Sequence, residues 1–245
     1  MTDSAERVSV DPALYCREVE AYLCRKNDGH LVRIVGPAFD QVSGWAVRGV
    51  PIRVVCRGID RYFERYYAKG PRRRPARIEF CEADVLDLFD EWKRAVGVGR
   101  AVSSSEDPSQ GDDTEVSRKR GTLAAHLERV VARLTTLRAG ETRAMDAVLD
   151  RLVRELDAAR SGAKGLRGEA REQLLARLRA LETDLVQAAR DSCEGTILQS
   201  LGAEADRQLA PFRNRMPEAA YEQARRACVD RLLRDQLKLP AVAFE

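Results

Sequence analysis

Arg53, Arg57, Arg61, Arg65 and Lys69 recur at every fourth position, and Arg72, Arg73, Arg74 and Arg77 follow after a short gap. A guanidinium presents a planar fork of N–H donors that matches a phosphate, so the chemistry open to such a set is polyanion binding. Between Arg48 and Arg77 ten basic residues stand against two acids, a local charge of +8. Each phosphate neutralised releases a counterion, which would make binding here strongly salt-dependent. Tyr62, Phe63, Tyr66 and Tyr67 interleave with the bases, and aromatic faces can stack the bases of a single strand. Immediately downstream, Glu79 to Glu91 carries six acids and no base, a local charge of −6. Three readings stay open: a basic face turned to nucleic acid, one turned to an acidic protein, or one paired with its own acidic neighbour.

Other chemistries find less support. The chain contains no P-loop, no G-x-S-x-G turn and no glycine-rich dinucleotide turn. Ser192-Cys193 beside Glu194 is the nearest approach to a nucleophile, but His30 and His126 are far from it in sequence. A buried structural cysteine is the plainer reading, and no catalytic residue is assigned. The six cysteines are scattered without a C-x-x-C pair, whereas zinc wants clustered ligands. No metal and no cofactor is expected, and the protein is not read as an enzyme.

The chain has 245 residues, 33% of them charged and 6% aromatic, with a net charge of only +3. That composition suits long solvated helices, and any electrostatic role must come from local segregation of charge. Met1–Pro12 carries Asp3, Glu6 and Asp11 and no apolar run, so no export signal is read there. The longest stretch without a charge is nine residues, Gly195–Ala203, well short of the ~20 needed to span a bilayer. A cytoplasmic protein with reduced cysteines and no membrane contact is the expectation.

The elements that must position the basic stripe are helices. Asp11-Pro12 has the cap acid and first-turn proline of a helix start, and Leu14, Val19, Tyr22 and Leu23 carry it to about Arg25. His30–Val35 is rich in Val and Ile, but a lone strand has no partner, so a loop or helix start is expected. Gly36-Pro37 opens a helix over 38–47, with Phe39, Val42, Trp45 and Ala46 on one face. Pro51 starts the stripe-bearing helix, whose apolar face reads Ile52, Val55, Cys56, Ile59, Phe63 and Tyr66. Pro71 and Pro75 forbid continuation, which places Arg72–Arg74 on an extended loop. The next helix, 82–96, turns Val85, Leu88, Phe89 and Trp92 inward. Trp45 and Trp92 are read as core anchors rather than recognition platforms.

From Gly97 the periodicity disappears. Residues 98–121, with a serine triplet and five acids, read as a flexible linker. It separates a helical domain, 1–97, from a long-helix bundle or coiled-coil hairpin, 122–245. In the latter, Leu123, Leu127, Val130, Val131, Leu134 and Leu137 form one stripe. Met145, Leu149, Leu152, Val153 and Leu156 form a second, and Leu174, Leu175, Leu178, Leu181 and Leu185 the returning one. Either these stripes are buried within the chain or a second chain covers them. Shorter helices follow over about 191–208 and 217–237. Leu239–Phe244 reads as an apolar extended strip that packs back on the bundle.

Residues 38–98 resemble the C-terminal helical domain of the DnaD-type primosomal replication proteins. The first part of the likeness is Gly44-Trp45-Ala46-Val47-Arg48-Gly49-Val50-Pro51-Ile52, followed by Val55 and Ile59. The second is Asp84-Val85-Leu86-Asp87-Leu88-Phe89-Asp90-Glu91-Trp92, with Asp84 where the family carries a tyrosine. The resemblance implies DNA binding and an adaptor role in replication. The sequence thus predicts an all-α protein, with two candidate functions. One is a nucleic-acid-binding accessory protein that contacts phosphates through Arg53, Arg57, Arg61, Arg65, Lys69, Arg72, Arg73, Arg74 and Arg77. The other is a scaffold that self-associates or docks a protein partner through the hairpin 122–185.

Overall fold

The computed structural model describes residues 11–68, 70, 75–98, 122–138, 145–163 and 166–244. All regular structure among them is helical, as an all-α fold requires. Lys69, Arg72, Arg73 and Arg74 lie outside the described residues, as does the proposed linker beyond Val98. The chain divides into two compact units, Met1–Pro108 with Glu204–Ala227, and Ser109–Ala203 with Cys228–Glu245.

The first unit is built on α1 (Pro12–Lys26), α2 (Pro37–Val47), α3 (Ile52–Tyr67) and α4 (Glu82–Val96). Asp11 caps α1 by accepting from the Ala13 amide at 2.9 Å, with Pro12 in the first turn. The helix buries Tyr15, Cys16, Val19 and Leu23, the 3–4 spacing of one helix face. The connector after it is an extended loop. The Val32 amide donates to Cys24 Sγ at 3.3 Å and the Ile34 amide to Glu20 Oε2 at 2.7 Å, so it runs back along α1. Ile34 is consequently buried while Leu31, Arg33 and Val35 face water. Extended backbone alternates its side chains, and here it does so without a sheet.

α2 buries Ala38, Val42, Trp45 and Ala46, and α3 buries Val54, Val55, Gly58, Ile59 and Phe63. A 3-10 turn, Ile78–Cys81, leads into α4, which ends at Gly97 in the left-handed conformation (φ +82°). The glycine closes the helix where a Cβ would be strained. Trp45 and Trp92 are 1% and 2% exposed, so both are core anchors. An aromatic side chain buries ~150–250 Å², a stabilisation of ~4–6 kcal/mol each before the entropy of ordering.

The first unit also takes in Glu204–Ala227, from well beyond the expected boundary at 122. Phe212, on the 3-10 stretch Ala210–Arg215, lies with its ring 5.9 Å from that of Trp92 and 6.5 Å from that of Phe89. Pro211 sits against Gly49, whose φ of +75° and closeness to the ring leave no room for a side chain. A Phe on an otherwise polar connector finds its apolar partners on α4, which no local spacing announces.

The second unit contains α5 (Leu123–Arg138), α6 (Asp146–Gly162) and α7 (Gly168–Ser192), with α5 packed on α6 and α6 on α7. Arg151 pairs with Asp184 at 2.7 Å and Glu155 with Arg177 at 2.5 Å, so ascending positions on α6 meet descending ones on α7. The two helices are antiparallel. Leu127, Leu134, Leu149, Leu152, Leu156 and Leu178 are fully buried, and Leu181 and Leu185 nearly so. α8 (Gly195–Leu209) and α9 (Glu218–Leu237) each cross the division between the units. No helix of the described residues is long and apolar enough to cross a membrane.

Candidate functional site

The basic stripe is where chemistry was expected, and the structure gives it partners inside the fold. Asp84 sits on the inner side of α4, one residue before Val85, and is 2% exposed. Arg61 Nε lies 3.3 Å from Asp84 Oδ1, and Arg65 donates a short hydrogen bond to Asp84 Oδ2. Arg61 also reaches Asp87 at 3.8 Å and Glu91 at 4.0 Å. Arg77 pairs with Glu79 at 2.7 Å and Arg53 with Glu204 at 3.8 Å. Arg57 is exposed on α3 and is engaged as well. Of the three open readings, pairing with the acidic neighbour is the one met by Arg61, Arg65 and Arg77, while Arg53 finds its partner in Glu204 instead. The physical reason is that a carboxylate buried beside Val85 must be paired, and α3 supplies the nearest cations.

This pairing depends on how closely α3 and α4 approach. At Gly58 a Cβ would lie 2.5 Å from Val85 Cγ2 and 2.8 Å from its Cα. The glycine lets backbone meet backbone and draws Asp84 to within reach of Arg61, one turn on. The interleaved aromatics stack on each other rather than standing free. Tyr62 lies 5.5 Å from Tyr66 and 6.3 Å from Phe80, both nearly parallel. Phe63 is core, 4% exposed.

On the opposite flank of α3, the Tyr22 hydroxyl donates towards both oxygens of Asp60, at 2.8 and 2.9 Å. Lys26 Nζ reaches Asp60 Oδ1 at 2.6 Å, and Arg25 and Lys26 lie over the Tyr22 ring. Burial, and then the Asp60 carboxylate, push the Tyr22 hydroxyl well above the ordinary phenol range. A recess of about 420 Å³ opens here, lined by Lys26, Asp60, Phe63, Glu64 and Tyr67. Lys26 and Asp60, two of its charged groups, already satisfy one another.

Several thiols are pushed away from activation. Burial pushes Cys56 up to about 11 and Cys81 up to about 12, and it raises Cys193 as well. A nucleophilic cysteine needs the opposite shift, towards thiolate at neutral pH. All six cysteines are free. Among the described residues no group of three or more His, Cys, Asp or Glu side chains is placed to hold a metal ion.

Two features carry more of the surface chemistry than sequence spacing suggested. Asp84 shares the buried face of α4 with Val85, Phe89, Trp92 and Val96; the acidic segment was one candidate partner of the stripe, but the burial of this one acid was not read from the sequence. The apolar surface was missed, and Leu14 and Phe39, placed by spacing on the inner faces of α1 and α2, are instead 52% and 37% exposed. Leu31, Val35 and Val47 are 75%, 65% and 77% exposed. Most of the leucines of α5–α7, by contrast, are covered within the chain, with Leu137, Leu174 and Leu175 half-buried. The fold and site together define an all-α protein whose charged α3–α4 face is an internal clasp. No protein-family model, curated protein or solved structure matches the chain.

Proposed function

We propose that this protein is a helical, non-enzymatic adaptor that docks a protein partner through the α1–α2 side of its first unit. The observation that carries this reading is the exposure of Leu31 and Val35 on the extended connector, supported by Val47, Phe39 and Leu14. Large apolar side chains concentrated on one part of a fold mark interaction surfaces, whereas single scattered ones do not. Among the described residues, every large apolar side chain left exposed falls between residues 14 and 80. An adaptor role is also what the resemblance of residues 38–98 implies. The hairpin 122–185 is the weaker docking candidate, because most of its leucines already cover one another.

A photo-crosslinking side chain placed in cells at Leu31, Val35 or Val47 tests this. Discrete protein adducts are expected from these positions and none from Glu218, a solvated control whose side chain is 75% exposed. Adducts of equal intensity from all four positions, or from none, reject the docking surface.

A second reading is nucleic-acid binding, favoured by one observation. The side chains of Arg53, Arg65 and Arg77 stay 56%, 64% and 67% exposed although each is paired. Surface pairs contribute only ~0–1 kcal/mol, so phosphates can compete for these forks, together with Arg72, Arg73 and Arg74. Replacing those three by alanine then flattens the slope of log affinity on log salt by roughly 2–3. An unchanged slope removes them from any contact.

A further inference from the structure

The segment Leu239–Phe244 has no regular structure, yet it is held by three directed bonds. The Val242 and Ala243 amides both donate to Glu182 Oε2 on α7, at 2.5 and 2.8 Å. The Val242 carbonyl accepts from His126 Nε2 on α5 at 3.1 Å, and the Phe244 ring meets the His126 ring edge-on at 5.2 Å. Val242 itself is fully buried. Arg234 holds the other Glu182 oxygen at 2.6 Å, which fixes the carboxylate for this task. One carboxylate catching two successive amides, and one imidazole catching the intervening carbonyl, read peptide backbone; the Val242 site and the His126 ring read side chains. These are the components of a short-peptide receptor.

The occupant follows α9 directly. Lys238 adopts φ +55°, and the Leu239 amide returns to the Arg234 carbonyl at 2.9 Å, so the helix is closed by its own cap before the strap begins.

We propose that the cleft between His126 and Glu182 is a peptide-docking site held in cis by the chain's own 239–244 strap, and that a second copy of the chain fills it by strap exchange. An exchanged strap makes the same contacts as the cis strap, so dimerisation requires no new complementarity and responds to concentration. This site lies in the second unit and is independent of the α1–α2 docking surface.

Two variants separate the halves of the device. Val242→Asp spoils the strap and leaves the cleft, and Glu182→Ala spoils the cleft and leaves the strap, with His126→Ala as an independent cleft variant. Solution mass at rising concentration is expected to show the unaltered chain passing from one chain mass towards two. Each variant alone stays at one. A mixture of the strap variant with a cleft variant forms a one-to-one heterodimer. A fluorescein-labelled peptide Leu-Pro-Ala-Val-Ala-Phe is expected to bind the Val242→Asp chain at least ~10-fold more tightly than the unaltered chain, whose cleft is filled. Circular dichroism checks folding, and Val242→Ala replaces Val242→Asp where the latter loses helicity. Absence of peptide binding overturns the cleft. Peptide binding with no dimer in either the unaltered chain or the mixture overturns the second copy as occupant.

Discussion

Asn27 and Ala76, 49 residues apart, exchange hydrogen bonds as facing residues of a sheet do. The Ala76 amide donates to Asn27 Oδ1 at 2.7 Å, and Asn27 Nδ2 donates to the Ala76 carbonyl at 3.0 Å and to that of Leu23 at 3.1 Å. Both residues are buried, at 2% and 1% exposure. One carboxamide therefore ends α1 and pins the segment that leads into α4, setting where the acids of α4 begin.

Asn27→Ala leaves the buried Ala76 amide and carbonyl without their partner. The expected loss is about 1–3 kcal/mol, the desolvation penalty of an unsatisfied buried group. A shifted urea midpoint at unchanged slope measures it; a shift equivalent to less than ~0.5 kcal/mol, the scatter of surface substitutions, rejects the pin.

Gly58→Ala places a methyl 2.5 Å from Val85 Cγ2 and 2.9 Å from the Val85 amide nitrogen. The helices must part, which costs ~1–3 kcal/mol as overpacking. Val85→Ala removes the side-chain clash and leaves the backbone one, so the double variant recovers only part of the loss. Full recovery in thermal melts would show that α3 and α4 do not meet at backbone distance.

Asp84 and Arg65 form one pair, but their removal is not symmetrical. Asp84→Ala strips a partner from Arg61 and Arg65 and leaves a cavity at a buried position; about 2–4 kcal/mol is expected. Arg65 is 64% exposed on its side chain, and Asp84 keeps Arg61, so Arg65→Ala should cost under ~1 kcal/mol. Equal losses in denaturant titrations contradict Asp84 as the centre of the clasp.

Asp206 accepts from Arg225 Nε at 2.6 Å and Nη2 at 3.1 Å. The hydrogen bonds to Arg225 hold its carboxyl below the ordinary carboxylate range. A depressed folded-state pKa adds stability above the unfolded value, ~3.9, and that stability is lost as pH falls through the folded value. The side chain is 44% exposed, so solvent screening limits the effect to under ~1 kcal/mol. Asp206→Asn is expected to be less stable than the unaltered chain at pH 7, with the difference shrinking as pH falls below the ordinary carboxylate range. A difference that persists undiminished in strong acid assigns the effect to packing instead.

The helices themselves were written in the order of residues. Asp11-Pro12, Gly36-Pro37, Pro51 and Gly97 mark ends that backbone chemistry enforces wherever the helix goes. Val19 and Leu23 of α1, Val85, Phe89 and Trp92 of α4 and most leucines of α5–α7 are buried where 3.6-residue periodicity puts them, whereas Leu14 is exposed and Tyr15 and Cys16 are buried in α1 instead. The strip Leu239–Phe244 was legible too, as an apolar run that packs back on the helices, and Val242 is its fully buried residue. Charge partners were legible only as one of three open readings, the acidic stretch Glu79–Glu91. Arg61 and Arg65 have the composition of a phosphate face, and the acids that hold them stand on a different helix, beyond the connector that follows α3. Nothing local distinguishes an arginine aimed at water from one aimed at Asp84.

Composition and spacing decided that this chain is helical, where its helices begin, and which faces they bury. Tertiary structure decided what the charges meet, that Phe212 belongs with Trp92, and that Glu182 and His126 grip the strap. Capping and periodicity act over a few residues, so one dimension records them. Pairing depends on which surfaces come within ~4 Å after the chain has closed on itself, and close approach at Gly58 and Gly49 made those meetings possible.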